Sequence, residues 1–209
     1  MAGMEEELRD RWAADSGRDR AATEALDSLL SRYREPQRHY HGTAHVLRVL
    51  RTVDEIVADT AVADSVAIRL AAWYHDAIYD PHAGPGVNEA SSAALAERDL
   101  SPLRVPAERV EAVARLVLVT ATHQPAATDE AVLCDADLAV LAADPATYSA
   151  YAKGVRAEYA HIDDAGWRVG RAVVLRAFLQ RPVLFHTAAM AGRDAAARAN
   201  LAAELATLT

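Results

Sequence analysis

The apolar residues of this chain recur with the period of a helix and nowhere with the period of a strand. Val46, Val49, Leu50, Val53 and Val57 stand at i, i+3, i+4, i+7 and i+11, one continuous face of a helix. No segment sustains the apolar–polar alternation of a half-buried strand. Alanine swells the apolar fraction to 52%, and alanine favours helix over sheet. The expected fold is therefore all-α, a helical bundle of about nine helices cut from one another by Pro, Gly and capping residues.

The cuts are readable one by one. A first helix is expected from near Ala21 to Tyr33, stopping before Pro36, with Thr43 as the N-cap of the next. Another runs from about Asp64 to Tyr79 with Val66, Leu70, Trp73 and Ala77 turned inward. Asp80 to Val87 holds two prolines and two glycines and reads as a loop, after which Asn88 caps a helix reaching Leu100. Pro106 suits the first residue of a helix ending at Thr120, and Asp137 falls within the one that follows. Asp144-Pro145 reads as an N-cap plus first residue, opening a helix to about His161. Asp163 or Asp164 opens one to Gln180, and an alanine-rich helix closes the chain over 191–209. Residues 1–20 are expected as an N-terminal extension of a single domain covering 1–209.

Composition narrows the function classes. A formal charge of −8 argues against a general nucleic-acid binder, which must neutralise phosphates with clustered cations. No apolar run approaches the roughly 20 residues that span a bilayer, and the acidic start Met1 to Glu7 lacks a signal-peptide pattern. A cytoplasmic protein without membrane attachment is expected, homo-oligomerisation being left open. The single cysteine, Cys134, sits in an apolar stretch and reads as a core residue.

Two imidazoles and two carboxylates, His45, His75, Asp76 and Asp137, lie on three separate helices and make one nitrogen–oxygen ligand set for a divalent ion. Neighbours on a helix diverge by about 100°, so His75 and Asp76 reach one ion only near a helix end or bend. The pair stands just ahead of Asp80-Pro81, which ends the helix. In this order, His45…His75-Asp76…Asp137, the chain resembles the HD superfamily of metal-dependent phosphohydrolases, whose signature is H…HD…D. Arg38-His39-Tyr40-His41 and Asn88-Glu89-Ala90-Ser91-Ser92-Ala93 resemble, within it, a bacterial subgroup of predicted phosphohydrolases.

That resemblance implies an HD-type helical bundle and one divalent transition metal (Mn, Fe, Co, Ni or Zn) on His45, His75, Asp76 and Asp137. It also separates Asp137 from Asp135, since in the related Asp-Ala-Asp pattern the second aspartate ligates. The implied activity is cleavage of a phosphate ester of a small molecule such as a nucleotide. Metal ligation lowers the pKa of water from about 15.7 towards 7 and so supplies the nucleophile.

Further candidates follow from position. His123, placed by the resemblance near the metal, is a candidate for stabilising developing charge. Some HD hydrolases carry a catalytic glutamate three residues after the aspartate, but Tyr79 stands there, so Asp80 or Glu89 is left as the general base. Arg38, His41 and Asn88 are expected on the substrate side, together with Lys153 and Arg156, three apart on one helix face. Two other classes remain: a non-catalytic metal or nucleotide sensor, and an HD-type di-iron oxygenase. The latter needs two more histidines between the His-Asp pair and the last aspartate, where only His82 and His123 occur.

Overall fold

The apolar face at Val46 to Val53 forms helix α3, Thr43–Ala58, and buries Val46, Val49, Leu50 and Val53 completely. Ile56 takes the last buried position and Val57 is only partly covered. The computed structural model describes residues 2–208, and among them it contains eleven α-helices, one 3-10 turn and no strand. In order these are α1 (Ala2–Ser16), α2 (Arg20–Arg32), α3, α4 (Ser65–Tyr74), α5 (Val87–Leu100) and α6 (Ala107–Val119). They are followed by α7 (Thr128–Leu138), the 3-10 turn Ala139–Ala142, α8 (Pro145–Glu158), α9 (Asp164–Leu179), α10 (Ala188–Ala191) and α11 (Asp194–Leu208). No described helix is long and apolar enough to cross a membrane.

The two helices beyond the expected nine are α1 and the short α10. α1 falls in the segment read as an extension, yet Leu8 and Trp12 are buried in the core. The Trp12 indole donates to the Ala22 carbonyl at 2.8 Å and meets the Trp73 ring edge-on at 5.4 Å. Its stripe is thin in apolar residues, so the helix shows poorly in the sequence although two large side chains anchor it.

Pro106 is the N-cap of α6 rather than its first residue, and α11 starts at Asp194 rather than at 191; three further boundaries differ from expectation, each for a local reason. Gly42, not Thr43, is the N-cap of α3. A Cβ there would stand 3.1 Å from the Tyr33 carbonyl, a tight approach that a larger residue would relieve only by moving that backbone a few tenths of an ångström. Gly86, left-handed at φ +76°, precedes α5. Asn88 lies inside that helix and ties down Asp80, accepting from its N–H and donating to its carbonyl, both at 3.0 Å. α4 stops at Tyr74 rather than Tyr79, with Asp64 capping its start and His75 its end. A tight turn from Tyr74 to Ala77 follows.

α4 is central, packing on α3, α5, α6 and α7, while α11 packs on α9 and the 3-10 turn. Asp135, fully buried on α7, accepts from the backbone N–H groups of His186 and Thr187 and from the Thr187 hydroxyl, at 2.7–3.0 Å. That carboxylate fixes the start of α10. Cys134 beside it is buried, and burial pushes its thiol up to about 12.

Replacing Trp12 with alanine should cost about 3–5 kcal/mol of stability in urea unfolding. A loss within about 0.5 kcal/mol, the range of an ordinary surface position, would mean that α1 is dispensable to the core.

Candidate metal centre

The early end of α4 turns its last residues toward α3 and α7. His75 donates from Nδ1 to the Ala72 carbonyl at 2.9 Å. A carbonyl can only accept, so Nδ1 carries the hydrogen and Nε2 is the nitrogen directed at the centre. Around it, His45 Nε2 lies at 3.0 Å, Asp76 Oδ2 at 3.1 Å and Asp137 Oδ1 at 3.5 Å. His45 Nε2 is 3.3 Å from both carboxylate oxygens. Donor atoms of His45, His75 and Asp137 all fall within 4.8 Å of one another, a group that could hold a metal ion. Ligand bonds of about 2.0–2.2 Å put adjacent donors roughly 2.8–3.6 Å apart in octahedral or tetrahedral arrangements, so the separations within His45, His75 and Asp137 suit one divalent ion, and Asp76 Oδ2 stands within the same range of both imidazoles.

The electrostatics agree with that fit. Burial works against both carboxylates, but His75 and the other imidazoles outweigh it and hold Asp76 and Asp137 well below the usual carboxylate range. For His75 burial disfavours the charged form, and Asp76 and Asp137 overcome it and raise its pKa well above the ordinary value. Two buried carboxylates facing two imidazoles need positive charge between them, from protons or from a cation.

Beside the centre, His41 is held by Glu158. Its Nδ1 lies 2.6 Å from Glu158 Oε2, and its ring stacks on Tyr79 at 4.3 Å. The other oxygen, Oε1, accepts from the backbone N–H groups of His39, Tyr40 and His41 at 2.7–2.9 Å. Burial would raise the Glu158 pKa, but His41 and these N–H groups bring it down to about 2. α8 comes this close because Gly154 faces the loop, where a Cβ would meet Tyr40 Cβ at 3.1 Å and the His39 carbonyl at 3.3 Å. Sequence reasoning passed over Glu158. A lone glycine inside a helix is unfavourable unless a neighbouring backbone needs the space, and Gly154, one turn earlier, was its signal.

A cavity of about 590 Å³ opens onto Asp76 and Asp137, and His41, Asn88, Glu89 and His123 all line it. His123 is the one described non-glycine residue with positive φ, at 49°. Its Nε2 sits 2.8 Å from Asp137 Oδ2, so the ring holds a centre carboxylate rather than standing free over the cavity. The remaining expected residues lie elsewhere. The Arg38 side chain has no solvent exposure; its N–H groups go to the carbonyls of His41, Asp76 and Ala77 and to Glu35. It is a clamp on backbone and cannot also bind substrate. Asp80 accepts the His82 N–H in its own turn and borders a different cavity, as does His82, which lies against His161 at 3.9 Å. Lys153 and Arg156 border a groove between α8 and α11, with Arg156 engaged by Asp164 and by the Tyr159 and Ile162 carbonyls. The arginines that do line the main cavity are Arg171 and Arg181.

No protein-family model, no curated protein and no solved structure matches this chain.

Asp135 and Asp137 give the sharpest mutational contrast. Two positions apart on α7, they point about 200° from each other, one to the start of α10 and one to the imidazoles. Asp137→Asn should empty the centre in elemental analysis. Asp135→Asn should keep the metal and lose about 1–3 kcal/mol of stability. His123→Ala, which frees Asp137 Oδ2, should weaken metal affinity about 10–100-fold.

Proposed function

We propose that the chain is a metal-dependent phosphohydrolase of the HD type, acting on a small phosphorylated molecule of which nucleotides are the first to test. One observation carries this reading: the Nε2 atoms of His45 and His75 lie 3.0 Å apart, and each is 3.1–3.5 Å from an oxygen of Asp76 and of Asp137 at the cavity wall. A divalent ion bound there supplies a Lewis acid for a phosphoryl oxygen and lowers the pKa of water to about 7. His45, His75, Asp76 and Asp137 would hold it, and His123 keeps Asp137 oriented. The donor set is nitrogen and oxygen without thiolate, which leaves the choice among Mn, Fe, Co, Ni and Zn to geometry and supply.

His41 is the group placed for proton transfer. Glu158 fixes its Nδ1, which leaves Nε2 as the free nitrogen of a ring that lines the cavity. A histidine held this way can give a proton to the leaving-group oxygen as the ester bond breaks. Tyr79, Tyr159 and Phe178 line the same cavity and add aromatic surface against which a base could pack. Glu89, in the first turn of α5, is the remaining candidate base on that wall. The oxygenase alternative is disfavoured, because His82 stands in a separate cavity instead of adding to the ligand set.

Protein purified with metal should carry about one ion per chain and release phosphate from a screen of phosphomonoesters and nucleotides, chelation stopping it and metal restoring it. His75→Ala should lose the ion. His41→Ala should keep it and slow turnover about 10²–10⁴-fold. A metal-free sample that stays fully active sinks the mechanism. A loaded sample that binds nucleotides but releases no phosphate would make the chain a sensor.

A further inference from the structure

The main cavity is short of positive charge. Asp76, Asp137 and Glu89 line it, against two arginines. Arg171 is neutralised in place, since it donates to both Glu204 oxygens at 2.7 and 2.9 Å and to the Tyr151 hydroxyl. Arg181 is not. Its guanidinium lies over the Phe178 ring at 4.5 Å and donates to the carbonyls of His123 at 3.0 Å and Thr122 at 2.8 Å. No carboxylate of the described residues pairs with it, and burial works against its charge. A half-buried guanidinium normally has an anion for partner. Arg181 lines the cavity with N–H groups beyond those two hydrogen bonds, and the carbonyls it holds belong to the loop that places His123 on Asp137.

We infer that Arg181 receives the substrate's anionic group and that the cavity selects phosphate monoesters over polyphosphates. This rests on the phosphohydrolase reading above. A divalent ion would balance Asp76 and Asp137, which leaves Arg181 and Glu89 as the charged lining residues without a described ion-pair partner. One phosphate can be met by Arg181 and the centre, whereas each further phosphate adds negative charge with no further arginine or lysine of this cavity free to meet it, His41 being already paired with Glu158. The wall beyond, Val173, Val174, Ala177 and Phe178 on α9, is apolar, and its two valines are 60% and 43% exposed. It suits the alcohol part of an ester, apolar or aromatic. Arg48 and Arg193 border a separate cavity of about 260 Å³ that reaches His45 and Asp137 from another side.

The test compares adenosine mono-, di- and triphosphate on metal-loaded wild type, Arg181→Met and Arg181→Lys, alongside calorimetric titration of inorganic phosphate and measurement of metal content. Wild type should favour the monophosphate over the triphosphate in kcat/KM by about tenfold or more. Arg181→Met should bind inorganic phosphate about 10–100-fold more weakly and raise KM for the monophosphate to match, with metal content unchanged. Arg181→Lys should recover part of the loss. Equal or better use of the triphosphate would assign its extra phosphates to the Arg48–Arg193 cavity and overturn the selectivity. Loss of metal in Arg181→Met with phosphate affinity intact would reduce Arg181 to a strut for the His123 loop. If wild type hydrolyses none of the three, the phosphohydrolase reading loses its support, and the phosphate titration still decides whether Arg181 is an anion receptor.

Discussion

Arg38 clamps the end of α4, and the geometry of the centre depends on that clamp. A helix end leaves carbonyls without partners; here Arg38 takes those of Asp76 at 2.7 Å and Ala77 at 3.0 Å, while Tyr33 donates to that of Trp73 at 2.9 Å. The same guanidinium holds the His41 carbonyl and lies over the rings of Tyr33 and Tyr79 at 5.1 and 5.6 Å. It thereby joins the loop before α3 to the turn after α4. His41 and His45 on one side, and His75 and Asp76 on the other, inherit their relative placement from one buried cation. On a continuing helix adjacent residues would diverge, and only one of the His75–Asp76 pair could face the centre.

Much of the fold was legible because it obeys local rules. The stripe of α3, the Asp144-Pro145 start of α8 and the Asp163 cap of α9 are each written within a few residues. The adjacent His75-Asp76 pair pointed to a helix end, and the H…HD…D resemblance joined it to His45 and Asp137; of these four, His45, His75 and Asp137 lie together. What stayed hidden depends on contacts far apart in sequence. Arg38, Lys153 and Arg156 look alike as cations in a string of letters, yet one is sealed against carbonyls and the others border a different groove. Glu158 works through backbone N–H groups more than a hundred residues away. No periodicity announces such a contact. α1 was missed for the opposite reason: two buried side chains, Leu8 and Trp12, are enough to dock it and too few to make a pattern.

α7 serves two sites from opposite faces. Asp135 receives the chain that starts α10, and Asp137 turns to the imidazoles. Both lie in its C-terminal turns, where the rotation of one helix sets both contacts. His123 and Arg181 extend this arrangement: Arg181, just beyond α9, holds the Thr122–His123 backbone, and His123 holds Asp137. Elements remote in sequence are thus tied to Asp137 through hydrogen bonds of 2.8–3.0 Å.

Asp137 also borders both the large cavity and the smaller one beside Arg48 and Arg193. The centre is therefore a partition between two chambers and not the blind end of one. A molecule seated in the larger chamber would leave uncovered the side of Asp137 that borders the smaller one.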